Sequence, residues 1–156
     1  SSIMNKLLLF FLFFYLNVAS VYSDIIKPNT KIEPYNVVEI QLISLKNNDK
    51  PDKDFGIEQT WEFAHPENKI NTGPLNNFKK MLKNEIYSIL LNHKDHKIEE
   101  IYNNKKIAIY DVIILGSDNF YYEFKWQVER YDGKGSLNNC WLTTAVSNPV
   151  SLGASI

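Results

Sequence analysis

The chain has 156 residues, a length typical of one domain, and its content of 44% hydrophobic and 13% aromatic residues is sufficient for a packed core. The formal net charge is −1, with 17 basic and 18 acidic residues. The chain therefore lacks the basic excess that is typical of nucleic-acid-binding proteins. The single cysteine, Cys140, excludes an intrachain disulfide, so packing must hold the domain together.

The N-terminal segment has the pattern of a secretory signal peptide. Lys6 supplies a short basic region, and residues 7–16 form an unbroken apolar run. Val21 and Ser23 then place small residues three and one positions before a cut, which predicts cleavage before Asp24. The run is shorter than the ~20 residues that a membrane span needs, so an uncleaved anchor is the less favoured alternative.

The predicted leader covers residues 1–23, and residues 1–3 are extra residues before Met4, the expected initiator. It predicts entry into the secretory pathway and a secreted protein without a membrane span after cleavage. The alternative is a bipartite leader to a plastid-derived organelle. Residues 24–33 are short, only mildly basic and carry acids, so secretion is favoured.

Three amphipathic helices are predicted at the start of a single domain over residues 34–147, after an irregular linker at residues 24–33. The first covers residues 34–46, because Pro suits a first helical turn. The second covers residues 56–64, and the third opens at Pro74. Their apolar stripes are Val38, Leu42 and Leu45; Ile57, Trp61 and Ala64; and Leu75, Phe78 and Leu82.

Four strands are predicted in the second half of the domain. Residues 107–115 are nearly all apolar and rich in β-branched side chains, and residues 120–129 alternate strictly between apolar and polar. Residues 97–102 start the sheet and residues 140–146 close it, followed by a flexible tail at residues 148–156. Helices first and strands afterwards predict an α+β fold, with N-terminal helices packed on a curved four-stranded antiparallel sheet.

A series of spaced motifs resembles one known family. The motifs are Pro34-x-x-Val37-Val38-x-x-Gln41-Leu42-x-x-Leu45, Gly56-Ile57, Phe63-Ala64-x-Pro66-x-Asn68, Thr72-Gly73-Pro74-x-x-x-Phe78-x-x-Met81 and Cys140-Trp141. Together they resemble the uncharacterised domain-of-unknown-function family 4864, which has bacterial and plant-plastid members. His65 stands where that family usually has Ser. The resemblance implies a cystatin-like fold of the nuclear transport factor 2-like type, and it implies neither an activity nor catalytic residues.

Two residues are candidates for catalysis. Asp111 interrupts the apolar strand at residues 107–115, and inside an apolar cavity its raised pKa would suit a general base. The favoured alternative places it on the solvent face, because perturbed carboxylates are the exception. His93 is the second candidate, since the family that the chain resembles also tends to have His there.

His93, Asp95 and His96 form the only compact cluster of metal-ligand residue types. Two imidazoles and a carboxylate are suitable ligands for zinc or copper. The spacing in a polar turn fixes no geometry, however, and no fourth ligand is evident. We therefore expect no metal and no cofactor.

Aromatic residues are the candidates for the lining of a ligand pocket. They are Trp61, Phe78, Tyr122, Phe124, Trp126 and Trp141. Such stripes are more often plain core, but a cavity and a core are continuous in a cone-shaped fold. A pocket built from them would suit a small apolar ligand.

The sequence favours a non-catalytic module that binds a small apolar ligand or a protein partner. The alternative is a small isomerase, lyase or hydrolase that uses Asp111 or His93 in a cavity. A homodimer formed through the exposed face of the sheet is a third interpretation, which the position of Tyr121 on that face mildly favours.

Overall fold

The computed structural model describes residues 24–156, so the predicted signal peptide lies outside the described residues. Helices form the first half of this part of the chain and strands the second half, which is an α+β order. The helices are α1 (Pro34–Lys46), α2 (Phe55–Glu62), α3 (Pro66–Thr72) and α4 (Leu75–Leu82), followed by a 3-10 turn (Ser88–Leu90). The strands are β1 (Asp95–Asn103), β2 (Ile107–Leu115), β3 (Phe120–Arg130), β4 (Trp141–Val146) and β5 (Val150–Ala154).

Helix α1 has the bounds that the sequence predicts. Pro34 occupies the first turn, where its missing N–H would have no intrahelical partner. The buried side of the helix is Val37, Val38, Gln41, Leu42 and Leu45. This apolar stripe, interrupted by one amide, is the surface against which the rest of the domain packs.

Helix α2 lies very close to the end of α1, and a glycine makes this approach feasible. A Cβ atom built on Gly56 would lie 2.1 Å from the backbone oxygen of Ser44. No side chain fits at that separation, so only glycine permits the contact. The irregular segment before α1 is tied to α2 as well, because the backbone N–H of Ile26 donates to Oε1 of Gln59 at 2.7 Å.

Residues 24–156 form four α-helices, whereas the sequence predicted three. The predicted second helix, residues 56–64, ends at Glu62, and Pro66 opens α3 instead of ending α2. Pro is favoured at a first helical position, and Nδ1 of His65 accepts the N–H of Glu67 as a cap. The sequence prediction was wrong here because a proline can mark either end of a helix.

The sheet is antiparallel throughout, with the order β1-β2-β3-β4 and with β5 paired to the opposite end of β3. Strand β3 is long enough for two neighbours on one edge. Strand β4 pairs with β3 near Trp126, and β5 pairs with it from Phe120 to Glu123. The predicted sheet of four strands is therefore a sheet of five.

The fifth strand lies in the segment that the sequence predicted to be a flexible tail, residues 148–156. Four residues of that segment pair with β3, and the register shifts at a bulge between Tyr121 and Tyr122. Gly153 adopts a φ of +102° beside this bulge, a conformation that favours glycine. Pairing with β3, rather than local propensity, defines the strand.

The helices cover one face of the sheet. On β2 the covered side chains are Ala108, Tyr110, Val112 and Ile114, and on β3 they are Phe124, Trp126 and Val128. The alternate residues point to the other face, which is only partly covered. In the part of the chain that the structure describes, no helix combines the length and hydrophobicity needed to cross a membrane.

Candidate functional site

A cavity of about 190 Å³ lies between the helices and the part of the sheet formed by β3 and β4. All four helices contribute to its wall. The main apolar side chains are Leu45, Phe78, Met81, Leu82, Leu90 and Trp126. Residues at its α3 and β4 sides, such as Asn68 and Ala145, are partly or fully exposed, so the cavity reaches solvent there.

A buried hydrogen-bond network forms the polar part of the wall. Gln41 is 1% exposed, and its Oε1 accepts from Nε1 of Trp126 at 3.0 Å and from Oγ1 of Thr143 at 2.7 Å. Its Nε2 donates to the backbone oxygen of Thr60 at 3.2 Å. The indole N–H can only donate, which fixes the orientation of the amide. The network joins α1 and α2 to both strands of the wall.

The other hydroxyl groups around the cavity donate to backbone carbonyls. Oγ1 of Thr60 donates to the oxygen of Gly56 at 2.8 Å, and Oγ1 of Thr72 to the oxygen of Asn68 at 2.7 Å. The Tyr87 hydroxyl donates to the oxygen of Val146 at 3.1 Å, and burial raises the pKa of this tyrosine. These three hydroxyl protons therefore have acceptors without a ligand.

The wall of the cavity carries no acidic, basic or histidine side chain among the described residues. Its polar groups are amides and hydroxyls, which stay neutral at physiological pH. A cavity of this composition suits a neutral, mostly apolar molecule, because an ion would leave water without a compensating charge.

The structure brings two of the six aromatic pocket candidates, Phe78 and Trp126, to the wall of the cavity. Trp61 lies behind Phe78, with the ring centroids 5.0 Å apart. Phe124 is fully buried in the core. The two-residue period of β3 places Phe124 and Trp126 on the same covered face, and of these two Trp126 lines the cavity.

The remaining two aromatic candidates lie at the periphery. The Tyr122 hydroxyl donates to Oδ2 of Asp118 at 2.6 Å in the turn before β3. Trp141 lines a separate polar groove together with Pro34 and Arg130. Neither side chain contributes to the cavity wall.

Asp111 lies on the outer face of the sheet and not in the cavity. Its Oδ1 is 2.7 Å from Nζ of Lys125, which is its direct cross-strand neighbour on β3. The side chains of the pair are 22% and 63% exposed. This is the solvent-facing arrangement that the sequence analysis favoured, and it gives the carboxylate no access to a molecule in the cavity.

His93 is buried behind Leu90 and outside the cavity wall. Its Nδ1 lies 2.7 Å from the oxygen of Leu90 and its Nε2 lies 2.8 Å from Nδ1 of His96. A carbonyl only accepts, so Nδ1 of His93 carries the proton and His96 donates through its own Nδ1. Burial is the main cause that lowers the pKa of His93 to about 4.

The three residues of the predicted metal cluster do not converge. Asp95 and His96 are consecutive in β1, so their side chains point to opposite faces of the sheet. Oδ1 of Asp95 instead accepts the backbone N–H of His96 at 2.9 Å. Across residues 24–156, no three His, Cys, Asp or Glu side chains are grouped so that they could hold a metal ion.

Sequence reasoning missed the polar residues of the wall, above all Gln41. This residue lies on the same helical side as Val38 and Leu45, and an amide within an apolar stripe is the signal that could have identified it.

Comparison of the chain with models of protein families, with curated proteins and with solved structures finds no match.

Proposed function

We propose that this domain binds a small, neutral and mostly apolar molecule in its cavity and does not transform it. The observation that carries the proposal is the cavity of about 190 Å³ with an apolar wall and one buried amide network. A cavity of about 150 Å³ is sufficient for benzene. The space therefore suits a ligand with one aromatic or aliphatic ring.

The positions of the candidate catalytic residues count against the enzyme alternative. General acid–base catalysis needs a titratable group within hydrogen-bond reach of the substrate. Asp111 is paired with Lys125 on the outer face, and His93 lies behind the cavity wall. Tyr87, the titratable side chain among the described wall residues, donates its hydroxyl proton to a carbonyl and has a raised pKa.

The proposal extends to the type of fold and the destination of the protein. A helical layer that precedes and covers an antiparallel sheet supports a cystatin-like fold of the nuclear transport factor 2-like type, and with it the resemblance to family 4864. The apolar run at residues 7–16 supports export through the secretory pathway. Similarity of fold does not determine function, so the binding proposal is based on the cavity and not on the type of fold.

Isothermal titration of the purified protein with toluene tests the binding proposal. We expect a dissociation constant of about 1 mM or lower, as is typical of a ligand with so few atoms in an apolar cavity. The substitution Ala64→Leu adds bulk to a wall residue that is 3% exposed, so it should weaken toluene binding at least about tenfold.

Ala154→Leu is the matched control. It introduces the same side chain on β5, at an exposed position outside the cavity, and should leave toluene affinity unchanged. Circular dichroism would verify that both variants fold. Equal toluene affinity in the wild type and the Ala64→Leu variant would contradict the proposal, as would the absence of binding to the wild type.

A further inference from the structure

We propose that the ligand of the cavity carries a neutral hydroxyl group, as a phenol or a small cyclic alcohol does. This inference rests on the proposed function and specifies the chemical class that the same cavity selects. It follows from an inventory of the hydrogen-bond donors and acceptors that the wall has already used.

The first step concerns charge. None of the described wall residues is an Asp, Glu, Lys, Arg or His, so no side chain could neutralise an ionised ligand. Moving a carboxylate or an ammonium group from water into such a space carries a large desolvation cost. The cavity therefore selects against acids and amines that are ionised at neutral pH.

The second step concerns the threonine hydroxyls. Thr60 and Thr72 each donate their single proton to a backbone carbonyl, and Thr143 donates to Oε1 of Gln41. Each of these partners can only accept, so the direction of the three hydrogen bonds is settled. The hydroxyl oxygens keep lone pairs, and these are acceptors that a donor on a ligand can use.

The third step concerns the unused donors. The Gln41 amide has two N–H groups, of which one donates to the Thr60 oxygen. The side-chain amide of Asn68, at the half-buried edge of the cavity, makes no hydrogen bond within residues 24–156. Gln41 and Thr143 both line the cavity and are hydrogen-bonded to each other, so the side chain with a spare N–H and the side chain with a spare lone pair are direct neighbours on the wall.

A hydroxyl is the neutral group that matches this pair. It can donate to a threonine oxygen and accept an amide N–H with the same atom. A ketone or an ether can only accept, and a methyl group does neither. The wall thus favours a ring that bears a hydroxyl over an isosteric ring that bears a methyl group.

Titration of the purified protein with phenol, toluene and benzoate at pH 7 tests this inference. Phenol and toluene have nearly the same shape, and we expect phenol to bind at least as tightly as toluene. Benzoate should bind at least about a hundredfold more weakly than phenol. In a cavity without an accessible partner, burial of the hydroxyl would make phenol the weaker ligand by about tenfold or more.

The substitution Thr143→Val tests whether a hydroxyl of the cavity wall is responsible for phenol binding. It removes a hydroxyl but keeps the branched shape, so it should weaken phenol binding about fivefold or more, and weaken phenol binding more than toluene binding. Thr144→Val is the matched control, because Thr144 is the next residue of β4 and does not line the cavity. Thr60→Val serves as the second variant if the Thr143→Val protein does not fold.

Four results would overturn the inference. Phenol that binds about tenfold more weakly than toluene, or benzoate that binds as tightly as phenol, would show that the wall does not select a neutral hydroxyl. Equal losses of phenol and toluene affinity in both threonine variants would show that these hydroxyls act only through packing. Failure of both toluene and phenol to bind would overturn the proposed function, and the inference with it.

Discussion

Individual buried polar groups show how this domain combines stability with an open space. Gln41 makes three hydrogen bonds while it is 1% exposed, and it holds Trp126 and Thr143 in place at the cavity wall. Buried polar groups are costly unless they are paired, so a satisfied network of this kind specifies one arrangement of helix and sheet. Tyr110 and His93 are two other buried polar residues, and each leads to a prediction.

The Tyr110 hydroxyl is the buried side-chain polar atom that has no hydrogen-bond partner in the described residues. Burial is the main cause that raises the pKa of this tyrosine to about 12. We predict that Tyr110→Phe leaves the free energy of unfolding unchanged or raises it by up to about 1 kcal/mol, because a desolvation cost disappears. Urea unfolding would measure the change.

Tyr87→Phe is the control for that substitution. The Tyr87 hydroxyl donates to the oxygen of Val146, so its removal should lower the free energy of unfolding by about 1 kcal/mol. A larger loss of stability for Tyr110→Phe than for Tyr87→Phe would be incompatible with an unpartnered hydroxyl.

The lowered pKa of His93 should make the free energy of unfolding depend on pH. Its pKa is about 4 in the folded state and 6.5 in the reference state, so below pH 6.5 the unfolded chain binds a proton that the folded chain does not. Stability should therefore fall as the pH falls from about 6.5 to 4, by about 1.4 kcal/mol per pH unit from this group. Lys46, Asp95 and His96 are the charged or titratable neighbours that modulate the shift.

His93→Asn retains an amide that can donate to the Leu90 oxygen but cannot titrate. Urea unfolding of both proteins between pH 4 and 7 should give a shallower pH dependence for the variant. Identical slopes for the wild type and the variant would assign the pH dependence to other groups, and an NMR titration of His93 with a midpoint near 6.5 would lead to the same conclusion.

Among the helices and strands, those that arise from a local sequence pattern were predicted, and those that depend on contacts with distant residues were not. The bounds of α1 and β2 match the sequence prediction, because a helical stripe and an apolar run bounded by turns are local patterns. Helix α3 and strand β5 were missed, since they have seven and five residues and depend on contacts with distant parts of the chain. The apolar character of the cavity could be predicted from its aromatic residues. Its amide network could not, because it joins residues up to 102 positions apart in the sequence.

Strand β5 leads to a prediction at this scale. Removal of residues 149–156 would delete four residue pairs with β3 and expose the edge from Phe120 to Glu123. We expect the free energy of unfolding to fall by about 1–3 kcal/mol, from the loss of cross-strand pairs. Toluene affinity should not change, because β5 does not line the cavity.

Removal of Ile156 alone is the control for this truncation. Its side chain is fully exposed, so the free energy of unfolding from urea titration should equal that of the full chain. Equal stability of the chain without residues 149–156 and the full chain would show that β5 does not contribute to the fold.

The whole molecule has two contrasting sides. The covered face of the sheet and the helices enclose a cavity without charged wall residues. Charged side chains lie outside the cavity, among them the Asp111–Lys125 pair on the outer face of the sheet. Among the described residues, the cavity wall carries no Asp, Glu, Lys, Arg or His side chain, and we therefore assign binding of a neutral molecule to the inside of the domain.

A crystal of the protein soaked with iodobenzene tests whether the cavity binds an apolar ring, since the anomalous signal of iodine locates the ring without ambiguity. We predict an iodine peak inside the cavity, with ring atoms within about 4 Å of Phe78 and Trp126. A cavity filled by rearranged side chains or ordered water, with iodine bound only at the protein surface, would contradict it.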